Sequence, residues 1–152
     1  MKLNTFLLAI LLLSGAGIFA TKSAHAQDSF HGATARLKKY KAIYVLDESD
    51  DKKIRGTLRN IGNALNDPRL KGKLEVELIA FGDGVTVYQK SGPYESLLKD
   101  LQAKGVILAQ CDNTIRERHI DKNTLFSFIS YVPSGNGEII IRQQQGWAMV
   151  HP

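Results

Sequence analysis

Cys111 is the only cysteine in the chain, so no disulfide can form within it, and a lone thiol is the side chain here best suited to covalent chemistry. It follows the apolar run Val106-Ile107-Leu108-Ala109 and precedes Asp112, Asn113 and Thr114, three residues suited to opening a helix. A thiol between the end of a strand and the start of a helix sits near unpaired backbone N–H groups and the positive end of the helix dipole, both of which favour a thiolate. Arg116 and Arg118 would add positive charge, whereas Asp47, Glu48 and Asp112 would oppose it. The sulfur is expected at the carboxyl end of the third strand, partly accessible, with the N–H groups of residues 112 to 114 beside it. The plainer alternative is a small buried hydrophobe that closes the strand, a common fate of cysteine.

Other constellations are weaker. Asp47, Glu48, Asp50 and Asp51 form an acidic cluster that could attract a hard cation. Such a site would want a carboxylate after the third strand, where this chain has Cys111, so helix N-terminal charge is the simpler assignment. The same carboxylates would repel phosphate. Gly82-Asp83-Gly84 and Pro133-Ser134-Gly135-Asn136-Gly137 match no phosphate-loop spacing and read as turns. His31, His119 and His151 share no metal-ligand spacing with one another or with Cys111, although His119 could carry a proton if its loop folds back. No Ser-His-Asp arrangement is identifiable. Neither a metal nor a cofactor is expected, and Tyr131 and Trp147 most simply serve packing.

The elements that must position Cys111 follow from periodicity. Lys41 to Leu46 is an apolar, β-branched run that predicts a strand covered on both faces. Ile54, Leu58, Ile61 and Leu65 recur at helical spacing after it, with Pro68 beyond the end. From Lys73 to Phe81, apolar residues alternate with Glu75 and Glu77, which predicts a half-exposed edge strand. A second helix carries Tyr94, Leu97, Leu98 and Leu101, with Pro93 near its first turn and Gly105 as its stop. Val106 to Ala109 is the third strand, Asp112 to Glu117 a short third helix, and Phe126 to Val132 contains the fourth strand. Asn136 to Gln145 is the fourth helix and Trp147 to Val150 the fifth strand. Alternating strands and helices on short connections predict an α/β domain: one flavodoxin-like unit with a five-stranded, mainly parallel sheet, order 2-1-3-4-5, and helices on both faces. That order would place the crevice between the first and third strands, bringing Asp47 toward Cys111.

Residues 1–26 read as a cleavable signal peptide. Lys2 precedes the apolar run Phe6 to Phe19, and Ala24-His25-Ala26 places the cut after Ala26. The run is short for a spanning helix, so no stable membrane insertion is expected after its removal, and the address is periplasmic or secreted. Residues 27–40 form a lead-in, with 41–152 as the domain. Loss of Lys2 and Lys22 lowers the formal charge from +5 to +3, spread among acidic residues, which argues against nucleic acid as a partner.

Four stretches carry a family likeness: Asn60-Ile61-Gly62-Asn63, Glu77 to Gly84 (ELIAFGDG), Gly105 to Thr114 (GVILAQCDNT), and Glu138 to Trp147 (EIIIRQQQGW) with terminal Pro152. On these the chain resembles the DsrE/DsrF-like family. The resemblance implies a flavodoxin-like fold, homo-oligomers often built on trimers, and in some members sulfur relay through a persulfide on the cysteine after the third strand, the position that Cys111 matches. Ile139, Ile140 and Ile141 fit an oligomer independently: at about 100° per residue they sweep about 200° of a helix, more than one core-facing stripe buries. Three functions stay open on this reading: thiol-dependent sulfur handling through Cys111, a non-catalytic homo-oligomeric protein that binds a small ligand, and a redox-sensing thiol protein. Asp112, Asn113, Thr114 and Asp47 are the expected supporting residues.

Overall fold

The computed structural model describes residues 30–152, so the expected signal peptide lies outside the described residues. The compact unit runs from Thr34 to Pro152. Its strands are β1 (Tyr40–Leu46), β2 (Leu74–Ala80), β3 (Ile107–Cys111), β4 (Ser130–Val132) and β5 (Ala148–Val150). Its helices are α1 (Asp51–Asn66), α2 (Glu95–Ala103), α3 (Asp112–Glu117) and α4 (Gly135–Gln144). The alternating α/β pattern is therefore as expected, and all four strand pairings are parallel.

The order across the sheet is β4-β3-β2-β1-β5, which corrects the expected 2-1-3-4-5. β2 is not an edge strand. It lies between β1 and β3, pairing with β1 from Tyr40↔Leu74 to Leu46↔Ala80 and with β3 from Glu77↔Ile107 to Ala80↔Gln110. The alternation of Glu75 and Glu77 was misleading because Glu77 is wholly buried beside Arg142, whose Nε lies 2.7 Å from its Oε2. A carboxylate with a cation beside it can sit inside a sheet that an unpaired one would avoid.

The two faces are covered differently. Leu46, Leu78, Ala80 and Leu108 face one way and join Ile54, Leu58 and Ile61 of α1, Leu98 and Leu101 of α2, and Ile115 of α3 in the main core. Helix α1 presents these residues at i, i+4 and i+7, and Asp50 caps it by accepting from Lys53 N at 2.9 Å. Ile43, Val45, Ile79 and Ala109 face the other way and meet Trp147 and part of α4 in a much smaller cluster.

The segment after β2 is a 3-10 helix, Gly82–Tyr88, where only a turn was expected. It buries Val85, Val87 and Tyr88 in the main core, and the Tyr88 hydroxyl donates to the Leu78 carbonyl at 3.0 Å. Gly84 is required there, because a Cβ would stand 2.0 Å from the Leu46 carbonyl oxygen. β4 is only three residues long, so much of the expected fourth strand is irregular chain; its Phe126 and Ile129 still enter the core.

Candidate functional site

Crevices in open parallel sheets form where neighbouring strands send their following helices to opposite faces. Here that place lies between β3, which leads into α3 on the main-core side, and β4, which leads into α4 on the thin side. Cys111 is the last residue of β3 and is in register with Val132, the last of β4. The physical rule therefore holds, but at a different pair of strands from the one the expected order implied.

A cavity of about 240 Å³ opens at this point, lined by Phe81, Gly82, Cys111, Asn113, Thr114, Glu117, Arg118 and the α4 entry Ser134-Gly135-Asn136. Two bonds hold its walls. Gly82 N donates to Thr114 Oγ1 at 2.9 Å, tying the chain after β2 to α3, and Arg118 pairs with Asp83 at the rim. Ser134 caps α4 by accepting from Gly137 N at 3.2 Å.

The N–H beside the sulfur comes from an unexpected helix. Gly135 N, in the first turn of α4, donates to Cys111 Sγ at 3.1 Å. Residues 112 to 114 were expected to serve this role, but Cys111 is itself the N-cap of α3 and its side chain makes no cap bond there. Its sulfur turns to the thin face with Ala109, while α3 leaves on the opposite side. The first N–H groups of a helix have no intrahelical acceptor, so the Gly135 N–H is free to donate outside its own helix, and the sulfur is the acceptor it meets. Gly135 fits because its Cα lies against Phe81, where a Cβ would come within 2.9 Å of Cδ1.

The sulfur is less open than expected: Cys111 is 5% exposed and forms the cavity floor, with the first turn of α4 against it. Of the expected supporting residues, Asn113 and Thr114 line the cavity. Asp112 does not; it pairs with Lys122 at 2.7 Å. Asp47 lies at the end of β1, separated from β3 by β2, and its Oδ1 is 3.0 Å from His151 Nε2. Parallel pairing of β1 with β5 brings Asp47, Glu48 and His151 within 4.8 Å of one another, a grouping that sequence spacing could not show. All three belong to a surface network in which Lys53 Nζ stands 3.8 Å from Glu48 and donates to the Pro152 carbonyl. The rest of the acidic cluster is local: Asp50 caps α1, and Asp51 binds Arg55 and accepts from the Tyr94 hydroxyl at 2.9 Å. Those partners, the Tyr94 hydroxyl foremost, hold the Asp51 carboxyl below its ordinary range.

Phe81, Ser134, Gly135 and Asn136 were not expected at the site. Ser134 ahead of a predicted helix was a readable cap signal, but its approach to Cys111, 23 residues earlier in the chain, depends on the crossover of α4 to the thin face.

The model of the DsrE/DsrF-like family matches residues 18–152. No curated protein matches the chain. Among solved structures, MTH1491 from Methanobacterium thermoautotrophicum, a protein of unknown function, is 30% identical, with a TM-score of 0.70 over 75% of this chain and 100% of that one. BT1422 from Bacteroides thetaiotaomicron, a conserved protein of unknown function, is similar in fold at 12% identity and TM-score 0.58, over 80% of this chain and all of that one. The ychN protein from E. coli is likewise similar in fold, at 15% identity and TM-score 0.54, over 76% of this chain and all of that one.

Proposed function

Because the chain belongs to the DsrE/DsrF-like family, which is associated with sulfur relay, we propose that it handles sulfane sulfur on Cys111. The observation that carries this reading is the bond from Gly135 N to Cys111 Sγ at the floor of a polar cavity. In the exchange, the Cys111 thiolate attacks the outer sulfur of a donor persulfide R–S–SH. The donor S–S bond breaks, a new S–S bond forms on Cys111 with the proton on its terminal sulfur, and R–S⁻ leaves; no external oxidant or reductant is consumed.

The test is intact-mass measurement of protein isolated without reductant from its native compartment. The expected result is a species heavier by one sulfur atom that disappears on reduction and is absent from Cys111→Ser. A thiol unmodified after exposure to a small persulfide would overturn the reading. The 5% exposure of Cys111 favours one alternative, a non-catalytic protein that binds a small ligand in the same cavity. That reading takes over if the sulfur resists reagents until the chain unfolds.

Two further parts of the reading belong to the same proposal. Export rests on the residues up to Ala26 and is tested by N-terminal sequencing of the protein from its host, which should begin at Gln27. Homo-oligomer formation, trimer-based as in the family, is supported by exposed Ile140 and Ile141 on α4 and by exposed Met149 and Ile107 on the same side of the sheet.

A further inference from the structure

Helix α4 has little apolar attachment to the sheet. Gly135 is its one buried residue and Ile139 is partly buried, while Ile140 and Ile141 are exposed. Its inward stripe is Gly135, Ile139 and Arg142, at i, i+4 and i+7. Gly135 lies against Phe81, Ile139 packs into the cluster that contains Ile79, and Arg142 reaches Glu77.

Glu77, Ile79 and Phe81 follow one another on a single side of β2 and the residue beyond it. Glu77 to Phe81 spans about 13 Å at about 3.3 Å per strand residue, and Gly135 to Arg142 about 10.5 Å at 1.5 Å per helical residue. The helix is thus a rod laid against one strand in the opposite direction and anchored near both ends. The anchor near its start is the steric contact with Phe81, beside the sulfur.

The anchor near its end is electrostatic. Arg142 Nε donates to Glu138 Oε1 at 2.7 Å, stands equally close to Glu77 Oε2, and its guanidinium lies 4.4 Å from the Trp147 ring centroid. One N–H cannot align with both carboxylates, so Glu77 holds the cation by charge without an aligned hydrogen bond among the described residues. Without Arg142, buried Glu77 and nearby Glu138 would face each other with no shared cation, and α4 would have to move to admit water.

We propose that Arg142 and Glu77 are positioning residues for Cys111: their ion pair fixes how α4 lies on β2, and thereby holds the Gly135 N–H at the sulfur. The proposal rests on the reading of Cys111 as the working sulfur.

The experiment measures alkylation of Cys111 by iodoacetamide in the purified protein, followed by intact mass, from about pH 6 to about pH 10, across the range in which thiols ionise. Arg142→Met should slow the reaction about threefold at neutral pH and leave the high-pH plateau unchanged, since a helix terminus acts on thiolate formation and the plateau reports access. Arg142→Lys, which keeps the charge, should restore most of the neutral-pH rate. Glu77→Gln should act in the same direction by about twofold, and it supplies the test if Arg142→Met does not fold. A reactive wild type with an unaltered profile in the variants overturns the positioning role alone. So does an equal change at every pH, which would mean altered access. A wild-type sulfur that reacts only on unfolding overturns both this proposal and the sulfur reading beneath it.

Discussion

The two faces of the sheet solve the same burial problem with different chemistry. On one face α1, α2, α3 and the 3-10 helix press Ile54, Ile61, Leu78, Val87 and Leu98 into a continuous core, and the Tyr88 hydroxyl finds a carbonyl. On the other, a single ten-residue helix lies over Ile43, Val45, Ile79 and Ala109, with Arg142 and buried Glu77 where apolar contacts would otherwise be. The thick face holds most of the buried apolar side chains. The thin face carries the candidate site, where the first turn of α4 presents the Gly135 N–H to the buried sulfur. It also leaves apolar surface on its outer side, which a lone copy would expose to water.

The sharpest way to break this comparison is to truncate both cores. Leu78→Ala on the thick face should cost about 3 kcal/mol in denaturant unfolding, as for a wholly buried leucine. Ile139→Ala on the thin face should cost about 1 kcal/mol, since that side chain is only partly buried. Equal losses would mean that α4 is as firmly packed as α1, and the division of labour would fail.

A smaller effect concerns pH. Burial first, with Arg142 opposing it and Glu138 reinforcing it, raises the Glu77 carboxyl above its ordinary value of 4.5. An acid with a raised folded pKa favours the folded state most below its unfolded value. Its contribution is lost as pH climbs from there through the folded pKa. Wild type should therefore lose stability relative to Glu77→Gln as pH rises from about 4 to about 7, measured by urea midpoints. A difference between the two proteins that does not change with pH would show that Glu77 keeps its ordinary ionisation.

The smallest effect on the single chain should come from the outer side of α4. Ile140→Glu with Ile141→Glu replaces exposed apolar side chains and should change single-chain stability by no more than about 0.5 kcal/mol per site. Light scattering should nonetheless show the assembly of wild type reduced to monomer. A wild type already monomeric at micromolar concentration would remove this support for an oligomer and leave the exposed isoleucines unexplained.

Local pattern was enough for most elements, since helical and strand periods are properties of contiguous residues. Ile54, Leu58 and Ile61 specified α1, Val106 to Ala109 specified a strand that in the structure runs on to Cys111 and straight into α3, and the lone cysteine marked the residue at the candidate site. Contiguous residues could not reveal which strands are neighbours. Glu75 and Glu77 look alike in sequence, and only the sheet order makes one exposed and the other buried beside a cation 65 residues later in the chain. Gly135 likewise reads as a turn glycine until α4 crosses to the thin face and lays its N–H against Cys111. The sequence alone determined which residue is the candidate for chemistry and the strand-to-helix boundary where it stands. The tertiary structure decided which helix serves it and how deeply it is buried, because both depend on contacts between segments far apart along the chain, which local periodicity does not encode.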